Sequence, residues 1–470
     1  MIITSLSTEI MLAVIALLLF VLGTGLNARG RGVLAKTAVI ALILVLINAI
    51  MNFSREVSLF HSTYLLDSFG NYFKILFLSA LIIVFLSAEK YMRGFKLKIT
   101  EFMSLMIFAA LGMMIMTAAG DLITLYVGLE LMTISSYILT AFLSKDQLSN
   151  EAGLKYLILG AISSAVLLFG MSLIYALGGT TIISEIAGKI SGEPALAAAM
   201  VMLLAGFAFK ISAVPFHMWV PDIYQGAPIP VTTFLAVGSK AAGFAALLLV
   251  FMLALPPGSF NWAPIMAVMA ALTMIIGNLI ALVQHDIKRL LAYSSIAQAG
   301  YMLTGLAAAN AYGLKGIVFY AMLYIFSNTG AFAVATAVEA DSGSTDMTAF
   351  SGLSRRSPAL AAIMTVCMLS LAGIPPLAGF TGKFYLFSGA VQSGYLWLAL
   401  VGLIMSMVSV YYYLSVARIM YGGECEEDGP LNTGLGNRIA VWICFAGTLL
   451  IGLYPGPLSR LAQSAISIFF

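Results

Sequence analysis

Apolar runs of about 20 residues recur along this chain from one end to the other, each long enough to cross a hydrocarbon layer of about 30 Å. That recurrence makes the chain an all-α integral membrane protein. At 470 residues the length alone would suggest about three soluble domains. Composition overrides it: 61% of residues are hydrophobic and only 9% charged, against about 25% charged in soluble proteins. No polar stretch is long enough to fold separately, so residues 1–470 form a single transmembrane domain. The net charge of +3 is spread over short loops and excludes a nucleic-acid footprint. Cys367, Cys425 and Cys444 form no CxxC or metal-ligand cluster, and His61, His217 and His285 are scattered. Iron–sulfur, zinc and haem sites are therefore not expected. The N-terminus has neither a basic n-region nor a small-residue cleavage site, so its first apolar run reads as a retained span.

Fourteen spans fit the pattern, near 8–27, 33–53, 72–88, 99–119, 122–143, 154–177, 195–215, 230–253, 262–283, 287–307, 314–338, 358–390, 394–418 and 437–455. The tail from Leu458 to Phe470 is mildly amphipathic and reads as a surface segment. Odd-numbered loops hold 14 basic residues: Arg29, Arg31, Lys36, Lys90, Arg93, Lys96, Lys98, Lys145, Lys288, Arg289, Arg355, Arg356, Arg418 and Arg438. Even-numbered loops and tails hold five: Arg55, Lys74, Lys189, Lys315 and Arg460. By the positive-inside rule the odd loops are cytoplasmic and both termini lie outside the cell membrane. One missed span would scramble that asymmetry.

A charge inside a bilayer is costly and by default functional. Glu130 sits near the centre of span 5 and Lys240 near the centre of span 8. Lys210 precedes Pro215 in span 7, Lys383 follows Pro375 and Pro376 in span 12, and Lys155 lies toward the cytoplasmic end of span 6. Snorkelling or a fixed salt bridge is the structural alternative, strongest for Lys155. Lysines at mid-depth cannot reach the headgroups, and one glutamate cannot neutralise three of them. A buried lysine without a counter-charge gives up its proton instead of holding a fixed charge, as a relay requires.

Spans 7 and 12 are broken in a related way. Pro215 deprives the Ile211 carbonyl of its helical donor, and Pro375 and Pro376 free the carbonyls of Leu371 and Ala372. Each break lies beside a lysine. Corresponding breaks point to two inverted five-helix repeats, 99–253 and 262–418, after N-terminal helices in 1–98 and before a last helix and tail in 437–470. Helix kinks without function are the plain alternative. Ser135, Ser136, Ser163, Ser164, Ser239, Tyr293, Ser294, Ser295, Gln298 and Thr381 fit a hydrated path, although each alone suits a helix–helix hydrogen bond equally well. His217, seven residues after Lys210, would share its face if the helix resumed, as a proton donor or acceptor between Lys210 and Lys240; a capped loop histidine fits equally.

At these residues the chain resembles the antiporter-like membrane subunits of respiratory complex I (NADH–quinone oxidoreductase), most closely the N type. The stretches that carry the resemblance are LITLYVGLELMTISSYIL (122–139), KYLILGAISSAVLLFGMSLIY (155–175), FKISAVPFHMWVPDIYQGAPIPVTTFLAVGSK (209–240), IKRLLAYSSIAQAGY (287–301) and SLAGIPPLAGFTGKFYLF (370–387). YQGAPIPVTTF is similar to the N type, and lysine at 383 to the N and L types, where the M type has glutamate. The resemblance implies that Glu130 pairs with Lys210, that Lys240 is the central connecting lysine, and that Lys383 exchanges protons with the outside. Lys155 matches a family lysine of less settled role. Gln298 stands where many members carry histidine, so no proton-carrying role is assigned there. It also implies no redox centre in this chain, with NADH, flavin, iron–sulfur clusters and quinone bound by partner subunits. At about 7 Å and an effective dielectric of about 20, Glu130 and Lys210 would interact by roughly 2.4 kcal/mol, enough to alter proton affinity more than tenfold. A subunit of a multisubunit sodium/proton antiporter, of the same fold, is the alternative. Sodium sites favour carboxylate and carbonyl oxygens, whereas the intramembrane charges here are mostly lysines. A scaffold without transport is hard to square with four intramembrane lysines.

Overall fold

The computed structural model describes residues 2–94, 98–190, 194–257, 261–423, 429–431 and 433–470, so Lys96 and Cys425 lie outside the described residues. The first half of the bundle comprises α1 (Ser7–Gly25), α2 (Ala28–Met51), α3 (Ser68–Gly94), α4 (Ile99–Thr117), α5 (Leu122–Thr140), α6 (Gln147–Gly178), α7 (Pro194–Ile211), α8 (Trp219–Gly226) and α9 (Ile229–Ala254). The second half comprises α10 (Ala263–Ala281), α11 (Ile287–Ala308), α12 (Ala311–Ser342), α13 (Pro358–Ala372), α14 (Ala378–Gln392), α15 (Leu396–Gly422), α16 (Leu435–Leu453) and α17 (Gly456–Ala465). Twelve of these are long and apolar enough to cross a membrane. The other two expected spans fall on α11 and on the broken pair α13–α14.

Aspartate and asparagine caps set several helix starts. Asp121 accepts from the Thr124 N–H, Asp146 from Leu148, Asp286 from Arg289 and Asn310 from Gly313, satisfying donors that the first turn leaves free. Two of these caps form a recurring clasp. Asp121 pairs its main chain with Ile182, beyond α6, and Asp286 pairs with Asp346, beyond α12. Glycines allow close crossings at equivalent places. A Cβ on Gly112 of α4 would lie 2.6 Å from the Gly128 carbonyl of α5, and one on Gly300 of α11 would lie 2.7 Å from the Met274 nitrogen of α10.

α9 is wholly enclosed by other helices and α12 nearly so, whereas α1, α2, α6, α15 and α16 leave most of their surface outward. The innermost helix therefore carries Lys240.

Two features depart from expectation. Between α2 and α3 lies a hairpin of β1 (Val57–Leu59) and β2 (Tyr64–Leu66), registered Val57↔Leu66 and Leu59↔Tyr64. Its three-residue strands are too short to show a period of two. The tail helix α17 lies on α3 and α12, burying Leu458, Ala462 and Ala465, so its apolar stripe is used by protein instead of the membrane surface.

Candidate functional site

Three lysines expected at mid-depth are buried: Lys210 is 3% exposed, Lys240 5% and Lys383 4%. Among the described residues none makes a direct ion pair, and each ammonium is held by neutral oxygen.

Lys210 lies in the last turn of α7 and donates to the Thr133 hydroxyl on α5, whose own proton goes to the Leu129 carbonyl 2.6 Å away. Glu130 sits one turn before Thr133, within electrostatic range of Lys210. Its Oε1 is buried without a hydrogen-bond partner among the described residues. Lys210 does not use the Ile211 carbonyl freed by Pro215. The Trp219 indole takes the Phe209 carbonyl at 3.0 Å, and Thr273 takes the Val214 N–H. Side chains tilt toward the start of their helix, so a lysine ahead of a break points away from it.

Lys240 stands between two wide, π-type segments of α9, Leu235–Ser239 and Leu249–Ala254. Such bulges often mark functional positions. Its ammonium donates to Ser295 on α11 at 2.6 Å and lies 5.8 Å from the centroid of Tyr224 on α8. One turn on, Gly243 leaves the space into which α7 packs; a Cβ there would sit 3.5 Å from the Lys210 Cβ.

Lys383 follows its break, so the same tilt aims it back into the gap. It donates to the carbonyls of Leu371 and Ala372, each at 3.0 Å, and to Ser406 on α15 at 2.8 Å; the Tyr301 ring is 4.3 Å away. Those are the two carbonyls that Pro375 and Pro376 withhold from the helix. Gly373, at φ +87°, turns the chain there and leaves room for the lysine; a Cβ would meet Lys383 Cδ at 2.9 Å. A cleft of about 620 Å³ opens beside Lys383, lined by Phe380, Phe384, Phe387, Leu403 and Ser406.

α11 joins the last two lysines. Gln298, one turn after Ser295, donates to the same Leu371 carbonyl at 3.0 Å and to Tyr413 at 3.2 Å, and accepts from Tyr320 at 2.5 Å. Ser294 shares a hydrogen bond with Tyr413. A cavity of about 10 Å³, lined by Lys240, Ser295, Gln298 and Tyr324, is the size of one water.

Other candidates lie elsewhere. Lys155 is 41% exposed and bridges Glu151 at 2.7 Å and Asp222 at 2.8 Å. His217 is buried with Nδ1 unpartnered among the described residues, but α7 ends at Ile211 and α8 begins at Trp219, so the shared helical face with Lys210 does not form. Ser136 bonds within its own helix, and Ser163 reaches the Gly206 carbonyl at 3.3 Å.

Sequence reasoning missed Thr133, Tyr224, Tyr301 and Ser406, which only packing brings to a lysine, and Tyr413, which packing brings to Ser294 and Gln298. It also grouped Lys74 and Lys288 with the loops, yet both are buried. Lys74 pairs with Glu9 at 2.6 Å, where Tyr64 also donates at 2.7 Å, and Lys288 donates to the Ala227 carbonyl. In the hairpin, burial and then the Glu9 carboxylate raise the Tyr64 hydroxyl well above the usual tyrosine range, so it donates as a neutral phenol.

Residues 119–409 match the family described as NADH:quinone oxidoreductase/Mrp antiporter, TM. The chain is 50% identical over 469 residues to NADH-quinone oxidoreductase subunit N of Heliobacterium modesticaldum, covering 99% of each chain. It is 49% identical over 466 residues to the subunit N of Desulforamulus reducens, covering 98% of each. Among solved structures it is similar to a chain of respiratory complex I from Thermus thermophilus with bound aureothin, at TM-score 0.84 and 34% identity, covering 97% of this chain and 99% of that one.

Proposed function

Because the chain belongs to the NADH:quinone oxidoreductase/Mrp antiporter transmembrane family, we propose that it is the N-type, proton-translocating membrane subunit of an NADH–quinone oxidoreductase, working beside the other membrane subunits of complex I. Partner subunits bind NADH, flavin, iron–sulfur clusters and quinone; this subunit supplies a proton path and no redox chemistry. The observation that carries the reading is the line of three buried lysines, each held by hydroxyl or carbonyl oxygen with no carboxylate in contact. Neutral acceptors orient an ammonium without fixing its charge, so the proton can leave.

Glu130 acts on Lys210 through space, and a movement of α5 against α7 alters that attraction. The proton passes from Lys210 to Lys240 across the crossing at Gly243, then along Ser295 and the one-water cavity of α11 to Lys383 and the outside. His217 stands off this line. The recurring Asp121 and Asp286 clasps and the paired breaks support two five-helix repeats, 99–253 and 262–418, and the excess of basic residues in the odd-numbered loops supports both termini outside. The sodium/proton antiporter reading shares the fold and is less supported, since relatives 50% and 49% identical over 469 and 466 residues are subunit N proteins.

The test is a pair of substitutions in the assembled complex. Lys240→Ala removes the carrier, and Lys240→Arg keeps a cation that does not release its proton. Both are expected to depress proton pumping and, through coupling, quinone reductase turnover. Full pumping by an assembled Lys240→Ala complex removes that lysine from the path; rescue by arginine marks a structural charge.

A further inference from the structure

α8 is eight residues long, the second half of the broken seventh span, and carries Tyr224 against Lys240. A helix this short does not hold itself. Trp219 stacks on Tyr156 of α6 with centroids 4.9 Å apart, and Lys288 donates to the Ala227 carbonyl at its far end at 2.7 Å. Between them Asp222 splits its carboxylate: Oδ2 takes Lys155 of α6 at 2.8 Å, and Oδ1 takes Arg289 of α11 at 2.9 Å. Arg289 also reaches Gln225 at 2.9 Å, and Glu151 adds a second carboxylate to Lys155 at 2.7 Å. Residues two apart on a helix point to opposite sides, so the partly exposed hub at Asp222 and the buried Tyr224 ring are two ends of one rigid piece.

We propose that Lys155 is a positioning residue: with Arg289 it latches Asp222, and through α8 it keeps the Tyr224 ring against Lys240. Lys155 is a poor carrier in this setting, because it is 41% exposed and neutralised by two carboxylates. The latch serves the relay proposed above and rests on that reading. Releasing it lets α8 shift and loosens the wall around Lys240 without removing any group from the proton line.

The experiment combines pumping by the assembled complex with hydrogen exchange of the amides in 219–226. Lys155→Ala and Asp222→Asn are expected to speed that exchange and slow pumping by about two- to fivefold, the scale of a lost, partly exposed ion pair. Lys155→Arg reaches Asp222 and restores both. The double variant Lys155→Ala/Asp222→Asn is no slower than either single one, because each opens the same latch. Lys155→Gln repeats the neutral arm should the alanine complex not assemble. A Lys155→Arg complex as slow as Lys155→Ala overturns the proposal in favour of a carrier, and unchanged exchange in Lys155→Ala overturns it outright. Lys240→Ala probes the relay separately: normal pumping there defeats the relay and leaves the exchange result to be read by itself.

Discussion

Replacing Ser406 by alanine removes one of the three oxygens that hold the Lys383 ammonium. The Leu371 and Ala372 carbonyls remain at 3.0 Å, but the third N–H, now 2.8 Å from the serine hydroxyl, faces only the Tyr301 ring. Ser406 also donates to the Ala372 carbonyl at 2.8 Å, so that oxygen loses a second donor. A hydrogen bond to a charged group is worth about 1.5–3 kcal/mol. At 1.36 kcal/mol per factor of ten, the balance between ammonium and amine at Lys383 shifts about 10- to 150-fold toward the amine. If loading this lysine lies on the path, pumping falls by at least about tenfold, while Ser406→Thr, which keeps the hydroxyl, stays close to the parent. The assay is the initial rate of acidification in vesicles driven by NADH, with assembly checked on native gels. Ser406→Ala pumping within about twofold of the parent would refute the reasoning, since the loss of a charge-assisted bond cannot be that small on a required step.

Two further outcomes are expected. Gly373→Ala places a methyl group 2.9 Å from Lys383 Cδ at a φ of +87°, which strains the turn by about 1–2 kcal/mol and displaces the lysine; lower thermal stability and lower turnover together are the signature, and an unchanged melting temperature argues against the geometry. Cysteines introduced one at a time in the loops at Arg93, Lys145 and Arg356 should resist labelling from outside, whereas those near Arg55 and Lys189 should react; labelling of both sets from one side would sink the fourteen-span arrangement.

Most of the fold was legible because hydrocarbon leaves a chain few choices. Run length gave most helices within a few residues of their observed ends, α4 starting at Ile99 and α11 at Ile287 as expected, while α6 starts seven residues earlier than expected, at Gln147, and α3 ends six later, at Gly94. The second break was readable in chemical detail: two prolines named two carbonyls, and those carbonyls hold Lys383. The first break was not, because which way Lys210 turns depends on its place before Pro215. Lys155 stood apart in sequence only by its depth, toward the cytoplasmic end of its span, where a fixed salt bridge was the stronger alternative. What stayed hidden is Asp222, 67 residues away, which no local pattern connects to it. Tyr301, Ser406 and Tyr413 escaped for the same reason, and the hairpin at 57–66 was too short to leave a periodic trace.

Two of the three oxygens around Lys383 belong to the main chain, and that changes what a genetic screen of this protein can detect. No side-chain replacement deletes a carbonyl, so residues 371 and 372 can drift among apolar types while their contribution persists. Selection acts instead on the two prolines that withhold their donors and on the glycine that makes the turn. A saturation scan around this lysine would therefore report Ser406 and the backbone-shaping positions and stay silent at the two carbonyls that touch the ammonium. Amide-to-ester replacement, which weakens a chosen carbonyl as an acceptor, is the chemistry able to reach them.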